Sequence, residues 1–386
     1  MQSFVVFPAS FKIGNQLAPQ IKRYIAVFLI IVFSIMHFLN SYSFLGESSK
    51  QNKVRSIQYD DIAKRLDEYL KREKFNGSVL ITHHNHVILN KGYGLANFEF
   101  SQKNLSTTKH YVGSITKNII AIAILQLQAQ GKLNIHNEIN CYIPFFENKN
   151  ITLYQLLTHT SGIVKEEEEE EVRPKDIHLQ NIIKWIAQQR LAFEPGERWM
   201  YSNYNYTILA YIIEKVTAEK LDVFLQRQIF SIASMNNSGI GRPSQSDLDF
   251  AKGYKKKGTL FIKQPEIQMN WLYGSGNLYT TVQDVKNLND AILAGKLLSK
   301  NSLKLLLSPF EDRKVSFGLF VGDDYYHNHG IVSGWNCYNN FTATGINVIL
   351  FSNVQNGINN KFNKQFRETV HKLIQNMGSD AKFEKT

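Results

Sequence analysis

The stretch Val112-Gly113-Ser114-Ile115-Thr116-Lys117 runs directly into Asn118-Ile119-Ile120-Ala121-Ile122-Ala123-Ile124-Leu125-Gln126-Leu127. A small polar turn thus opens a segment that is apolar almost all round, the pattern of a helix buried in the middle of a protein. Ser114 falls at its N-terminus, where unpaired N–H groups and the positive end of the helix dipole gather. Lys117 follows about one turn later on the same face. A hydroxyl held beside an amine at a positive helix end is what an activated serine nucleophile needs, a base within reach and a site for negative charge. The competing reading is structural, with Ser114 a helix cap and Lys117 solvated. Two other S-x-x-K runs occur, Ser106-Thr107-Thr108-Lys109 and Ser379-Asp380-Ala381-Lys382. The first is not followed by an apolar helix and the second lies in a polar tail, so context singles out Ser114.

The 386 residues, 43% of them hydrophobic, are ample for a large core. The formal charge of +11 attracts anionic surfaces. Lys and Arg are scattered, however. Only Lys255-Lys256-Lys257 forms a tight basic run, and no nucleic-acid motif accompanies it, so no nucleic-acid partner is expected. Cys141 and Cys337 stand far apart without metal-type spacing, which neither demands nor excludes a disulfide. No Cys/His cluster indicates a metal site, and no cofactor is expected.

Residues 1–23 carry Lys12, Lys22 and Arg23 and no acid, and residues 24–39 are nearly all apolar. A basic region before an apolar one is the form of an export signal. Residues 1–45 are therefore expected to be a signal peptide, or a membrane attachment through residues 24–45. A polar linker, 46–57, a catalytic domain, 58–376, and a polar tail, 377–386, are expected to follow. Ile62, Leu66, Tyr69 and Leu70 repeat at helical spacing. Residues 78–82 and 86–90 read as a strand hairpin, which places His83, His84 and His86 at its turn as solvated residues. Six consecutive acids, 166–171, read as a solvated loop. Helices are expected over 177–189, 206–216, 282–293 and 359–374, and strands over 315–321, 330–338 and 345–351. Strands at both chain ends with helices between predict an α+β fold. An antiparallel sheet built from both ends would be flanked by helices, beside a helical lobe, with the site in the crevice between.

Further motifs stand in a fixed order. After Gly113-Ser114-x-x-Lys117 come Leu156-Leu157-Thr158-His159-Thr160-Ser161-Gly162, Pro195-Gly196 with Tyr201-Ser202-Asn203, and Gly274-x-Gly276. Over residues 58–376 this order resembles the serine β-lactamase and penicillin-binding-protein superfamily, in the branch of class C β-lactamases, D,D-peptidases and related esterases. The resemblance implies a β-lactamase/transpeptidase-like fold. It implies that Ser114 is the nucleophile of an acyl-enzyme and Lys117 its base or proton relay. It implies that Tyr201 shares proton transfer with the leaving group and the deacylating water. Asn203 would hold Lys117 and the substrate amide, and the backbone N–H groups of Ser114 and Ile331 would form an oxyanion hole. The bland alternative for Tyr201 and Asn203 is loop packing.

The third motif departs from the family pattern. Where relatives carry Lys or His, then Thr or Ser, then Gly, counting back from Gly334-Trp335 gives Asn328-His329-Gly330. An asparagine at the first position supplies no charge for a substrate carboxylate. These residues are expected to touch substrate, with any carboxylate left to a histidine and favoured near pH 6. The expected function is an exported serine hydrolase, periplasmic or membrane-anchored and facing the envelope. It would act on esters, amides or D-amino-acid peptides, as small molecules, peptides or parts of a cell-envelope polymer. The alternatives are a true β-lactamase and a catalytically silent envelope-binding scaffold.

Overall fold

A computed structural model describes residues 19–146, 150–165, 178–244, 249–265 and 268–383. The acidic run 166–171 lies outside them. The chain divides into two compact units, 1–60 and 61–386. In the first, the described residues are helical, part of α1 (Pro19–Arg72). Its large apolar side chains Tyr24, Phe28, Ile30 and Phe33 are exposed. Among the described residues no helix is both long and apolar enough to cross a membrane. The stretch 46–57, expected as a linker, lies within α1; Gly46 is its one strong helix breaker and no proline interrupts it.

The second unit is a mixed helical and antiparallel-sheet fold. In chain order its main elements are β1 (Gly77–His83), β2 (His86–Tyr93), α2 (Thr116–Ala129), α3 (Asn203–Thr217), β3 (Tyr254–Lys257), β4 (Leu260–Lys263), α4 (Val282–Leu293), β5 (Phe320–Val321), β6 (Tyr326–Val332), β7 (Trp335–Phe341), β8 (Ile346–Ser352) and α5 (Asn360–Phe383). Six strands form one sheet in the order β5-β6-β7-β8-β1-β2. β1 pairs with β8 so that Val79 faces Leu350 and Ile81 faces Val348. The two chain ends thus meet at the middle of the sheet, as the sequence predicts. β8 is buried at every position, because α4 and α5 both pack against it. A strand covered on both faces reads as a nearly continuous apolar run, and Ile346-Asn347-Val348-Ile349-Leu350-Phe351 does.

Two strand expectations need correction. The span 330–338 is not one strand but the end of β6, a tight turn and the start of β7. Gly334 turns the chain there with φ +91°, a backbone state that only glycine adopts without strain. The span 315–321 contributes only the short β5 and one isolated bridge from Val315 to Phe320. The final helix runs past 374 to Phe383, through most of the expected tail.

The helical lobe surrounds α2, which is buried continuously from Thr116 to Leu127. α3 packs beside it and is itself buried from Tyr204 to Ile213. Fully burying each Ile or Leu of such a helix contributes roughly 1.5–3 kcal/mol, so α2 is a firmly held place to mount a reactive group. His83, His84 and His86 fall at the β1–β2 turn. Cys141 is exposed and Cys337 buried, and both are free thiols.

Candidate active site

Ser114 sits in a single 3-10 turn, Gly113–Ile115, that leads into α2. Its side chain is not a cap. The residue in the cap position is Ile115, with no side-chain capping bond, and Thr116 closes the turn by donating to the Gly113 carbonyl at 2.6 Å. Ser114 Oγ is instead 2.5 Å from the Tyr201 hydroxyl and receives a hydrogen bond from Lys117 Nζ at 3.0 Å.

Lys117 is only 2% exposed. An amine so buried must have its hydrogen-bonding capacity met within the protein. Besides Ser114, its Nζ donates to Asn203 Oδ1 at 2.6 Å and to the Ser275 carbonyl at 2.7 Å. Three chain segments therefore converge on one nitrogen. The Gly274-x-Gly276 turn supplies the carbonyl. Its Gly274, at φ +69°, lies so close to α3 that a Cβ would fall 2.3 Å from Ala210 Cβ. Asn203 opens α3, and its Oδ1 also accepts from the Tyr201 hydroxyl at 3.3 Å. Ser114, Lys117, Tyr201 and Asn203 thus form one hydrogen-bonded group.

Strand β6 forms the opposite wall. Its outer edge pairs with β5 only at Tyr326 and His327, leaving residues 328–332 of that edge against the Ser114 turn. Gly330 makes this approach possible. A Cβ there would lie 1.8 Å from the Val112 carbonyl oxygen and 2.8 Å from Ser114 N. Gly113 in turn lies against Ile331, whose backbone O and N would be 2.9 and 3.0 Å from a Gly113 Cβ. The backbones of Ser114 and Ile331 thus lie side by side. A cavity of about 330 Å³ opens here, lined by Ser114, Lys117, Tyr201, Asn203, Asn328, His329 and Ile331 together with His159, Phe320 and others.

Side chains alternate along a strand, so Asn328 and Gly330 share the face turned to Ser114, and His327 and His329 share the other. His329 Nε2 is bonded to Asn336 Oδ1 at 2.6 Å, and burial lowers its pKa below the ordinary histidine value. Burial, then the nearby Arg367 charge, lowers His327 to about 4. Both shifts disfavour the charged ring and so work against the expected gain of carboxylate substrates near pH 6. Asn328 is 3% exposed, and among the described residues neither of its amide atoms has a hydrogen-bond partner.

His159 belongs to the site without having been singled out in the sequence. Its ring stacks on Tyr201 with centroids 4.5 Å apart. Its Nδ1 accepts from the Ser202 backbone N–H at 3.3 Å and faces Asn205 Nδ2 at 3.1 Å. Burial and the Lys117 charge lower its pKa to about 3. A neutral imidazole with Nδ1 accepting fixes the loop that carries Tyr201. The residue adopts φ +59°, uncommon outside glycine. The Leu-Leu-Thr-His-Thr-Ser-Gly context was the available signal, but the contact with Tyr201 is purely tertiary.

A serine hydroxyl, a buried amine, a tyrosine and a nearby backbone pair meet in a cleft between sheet and helices, an arrangement suited to a serine hydrolase of the β-lactamase fold. Comparison with known proteins agrees. The Beta-lactamase family model matches residues 62–361, and the chain belongs to that family. It is 35% identical over 323 residues to the Bacillus subtilis penicillin-binding protein PbpX, covering 82% of this chain and 81% of that one. It is 30% identical over 282 residues to a Staphylococcus aureus teichoic acid D-alanine hydrolase, covering 72% and 70% of the two chains. The crystal structure of FmtA from Staphylococcus aureus superposes with a TM-score of 0.75 at 27% identity, over 81% of this chain and 90% of that one.

Proposed function

We propose that this chain is an exported serine esterase that removes D-alanyl or similar small acyl groups from an anionic cell-envelope polymer through an acyl-enzyme. Ser114 Oγ attacks the ester carbonyl while its proton passes to Lys117, which reacts as the free amine, its two N–H bonds held by Asn203 Oδ1 and the Ser275 carbonyl and its lone pair turned to Ser114. The backbone N–H groups of Ser114 and Ile331 receive the oxyanion. The C–O bond to the polymer breaks, and the departing alkoxide takes a proton from Tyr201, relayed through Lys117. Water, activated by the same pair, then hydrolyses the acyl-serine and releases the acid. Asn203 holds Lys117 in position throughout.

The observation that carries the substrate class is Asn328. β-Lactams and D-Ala-D-Ala peptides present a carboxylate beside the scissile bond, and a charge-assisted bond to it outweighs a neutral one. Here the residue turned toward Ser114 is an uncharged amide, and burial disfavours the charged form of both neighbouring histidines. A D-alanyl ester carries no such carboxylate, so its hydrolysis has no use for the missing cation. The similarity to a protein named for teichoic acid D-alanine hydrolysis and the net charge of +11 support an anionic polymer as carrier. The basic-then-apolar N-terminus supports residues 1–45 as the export signal or anchor of a catalytic domain over 58–376, with 377–386 as its tail.

The test is a substrate panel on the purified chain, with D-alanyl esters, D-amino-acid peptides and nitrocefin. The proposal expects D-alanyl ester turnover that requires Ser114. Efficient nitrocefin hydrolysis with idle esters would reassign the chain as a β-lactamase. Inertness toward every acylating substrate would favour the silent scaffold.

A further inference from the structure

The β3–β4 hairpin takes no part in the catalytic group. It forms a two-stranded sheet of its own, with Lys255 opposite Ile262, Lys256 opposite Phe261 and Lys257 opposite Leu260. Alternation therefore puts Lys255, Lys257, Leu260 and Ile262 on one face. Leu260 is 67% exposed and Ile262 46%. The other face meets the protein through buried Tyr254 at its root and through Phe261, which stacks on Phe98 at 4.1 Å while staying 36% exposed. Lys263 reaches the adjoining turn, pairing with Glu99 at 3.0 Å, and Phe100 in that turn is 81% exposed. Among the described residues no acid pairs with Lys255, Lys256 or Lys257.

We propose that this hairpin, with Phe100, docks the protein onto an anionic lipid bilayer. Large apolar side chains flanked by unpaired lysines match an interface with acyl chains below and anionic headgroups around them. A second copy of the chain fits poorly, since it would bring the same lysines face to face. A soluble polyanion would use the lysines and leave Leu260, Ile262 and Phe100 in water. Position supports the assignment. The hairpin is rooted where Tyr254 N donates to the Gly334 carbonyl at 3.2 Å, at the β6–β7 turn, three residues beyond Ile331. A hairpin seated on the bilayer holds the cavity close to polymer tethered at that surface. That positional argument rests on the proposed polymer substrate, but the binding test needs no turnover, so the two readings fail separately.

The experiment uses the full chain with Leu260→Cys in a Cys141→Ser background, labelled with an environment-sensitive nitrobenzoxadiazole dye. Phosphatidylcholine vesicles containing phosphatidylglycerol are expected to shift the emission to the blue, and spin-labelled lipid to quench it. Adding Lys255→Glu and Lys257→Glu is expected to raise the vesicle concentration for half the shift about tenfold or more, each basic residue near an anionic surface being worth about 1 kcal/mol before repulsion by the new acids. An unshifted label on protein that cosediments with the vesicles overturns the proposal. So does a shift that needs only higher protein concentration, which gives the face to a second copy, or one produced by soluble polyglycerol phosphate alone, which gives it to the polymer. If Leu260→Cys disturbs folding, Ile262→Cys reports on the same face.

Discussion

Lys117 Nζ lies 3.0 Å from Ser114 Oγ and 2.6 Å from Asn203 Oδ1, so one buried amine joins the turn before α2 to the start of α3. Residues that act as a unit are non-additive. Ser114→Ala and Lys117→Ala are each expected to lower kcat/KM by about 10³-fold or more, and the double variant to be no worse than either. Their stabilities should differ. Ser114→Ala should cost no more than about 1 kcal/mol, whereas Lys117→Ala takes the N–H donor away from Asn203 Oδ1 and the Ser275 carbonyl, leaving these acceptors unpaired, and should cost roughly 1–3 kcal/mol. Urea unfolding of both variants, alongside kinetics, checks this.

Tyr201→Phe keeps the ring against His159 and removes the hydroxyl 2.5 Å from Ser114 Oγ. General acid–base groups contribute about 10²–10⁴-fold. A loss in that range with unchanged melting temperature is expected, and pre-steady-state kinetics should show both acylation and deacylation slowed. A variant with wild-type rates would remove Tyr201 from the chemistry.

His159 stacks on Tyr201, so in the proposed mechanism it would act by positioning that residue. His159→Ala is expected to lower kcat about 10–100-fold with little change in KM, since a misplaced group costs on the order of 10²-fold. His159→Asn, which keeps a short acceptor, should recover part of the loss. Equal effects of both variants on kcat and on KM would indicate general loosening instead.

How much of this site could be read from the chain depends on how local each relation is. Ser114 and Lys117 are three residues apart, and helical geometry alone sets them side by side. Tyr201 and Asn203 were legible only through their motif's place in an order. His159 acts through packing on a residue 42 positions away, which no local pattern encodes. The face of β6 was ambiguous because Asn328, His329 and Gly330 are adjacent and a one-residue slip exchanges the faces. The structure resolves it through Gly330, whose missing side chain admits the Ser114 backbone. The β6–β7 turn was missed because Ile331-Val332-Ser333-Gly334-Trp335 carries a single turn signal in an apolar run. The sheet was legible because strands at both ends lie far from the helical middle.

Acid should destabilise the fold in a defined window. Burial lowers His110 to about 4, His159 to about 3 and His327 to about 4, against about 6.5 in the unfolded chain. Between these values the unfolded state binds protons that the folded state refuses. Stability is therefore fully present above about pH 6.5 and falls as pH drops toward 4, by about 1.4 kcal/mol per pH unit per group. Urea midpoints between pH 7.5 and 4.5 should show this slope. His110→Gln, remote from the catalytic group, should flatten it by about one group's share, and an unchanged slope would mean that His110 titrates normally.

The lowered pKa values of His327 and His329 also bear on specificity. Nitrocefin turnover should be at least about 10²-fold below D-alanyl ester turnover, the scale of a lost charge-assisted bond to a carboxylate. It should not rise between pH 7.5 and 6. A clear rise toward pH 6 would show that a histidine does charge within the cavity.

The most direct measurement is intact and peptide mass spectrometry of the full chain quenched during turnover of a D-alanyl ester. The account predicts one acyl group on the peptide that contains Ser114, absent from Ser114→Ala and accumulating in Tyr201→Phe. An acyl group on any other residue, or ester hydrolysis that persists in Ser114→Ala, would contradict it.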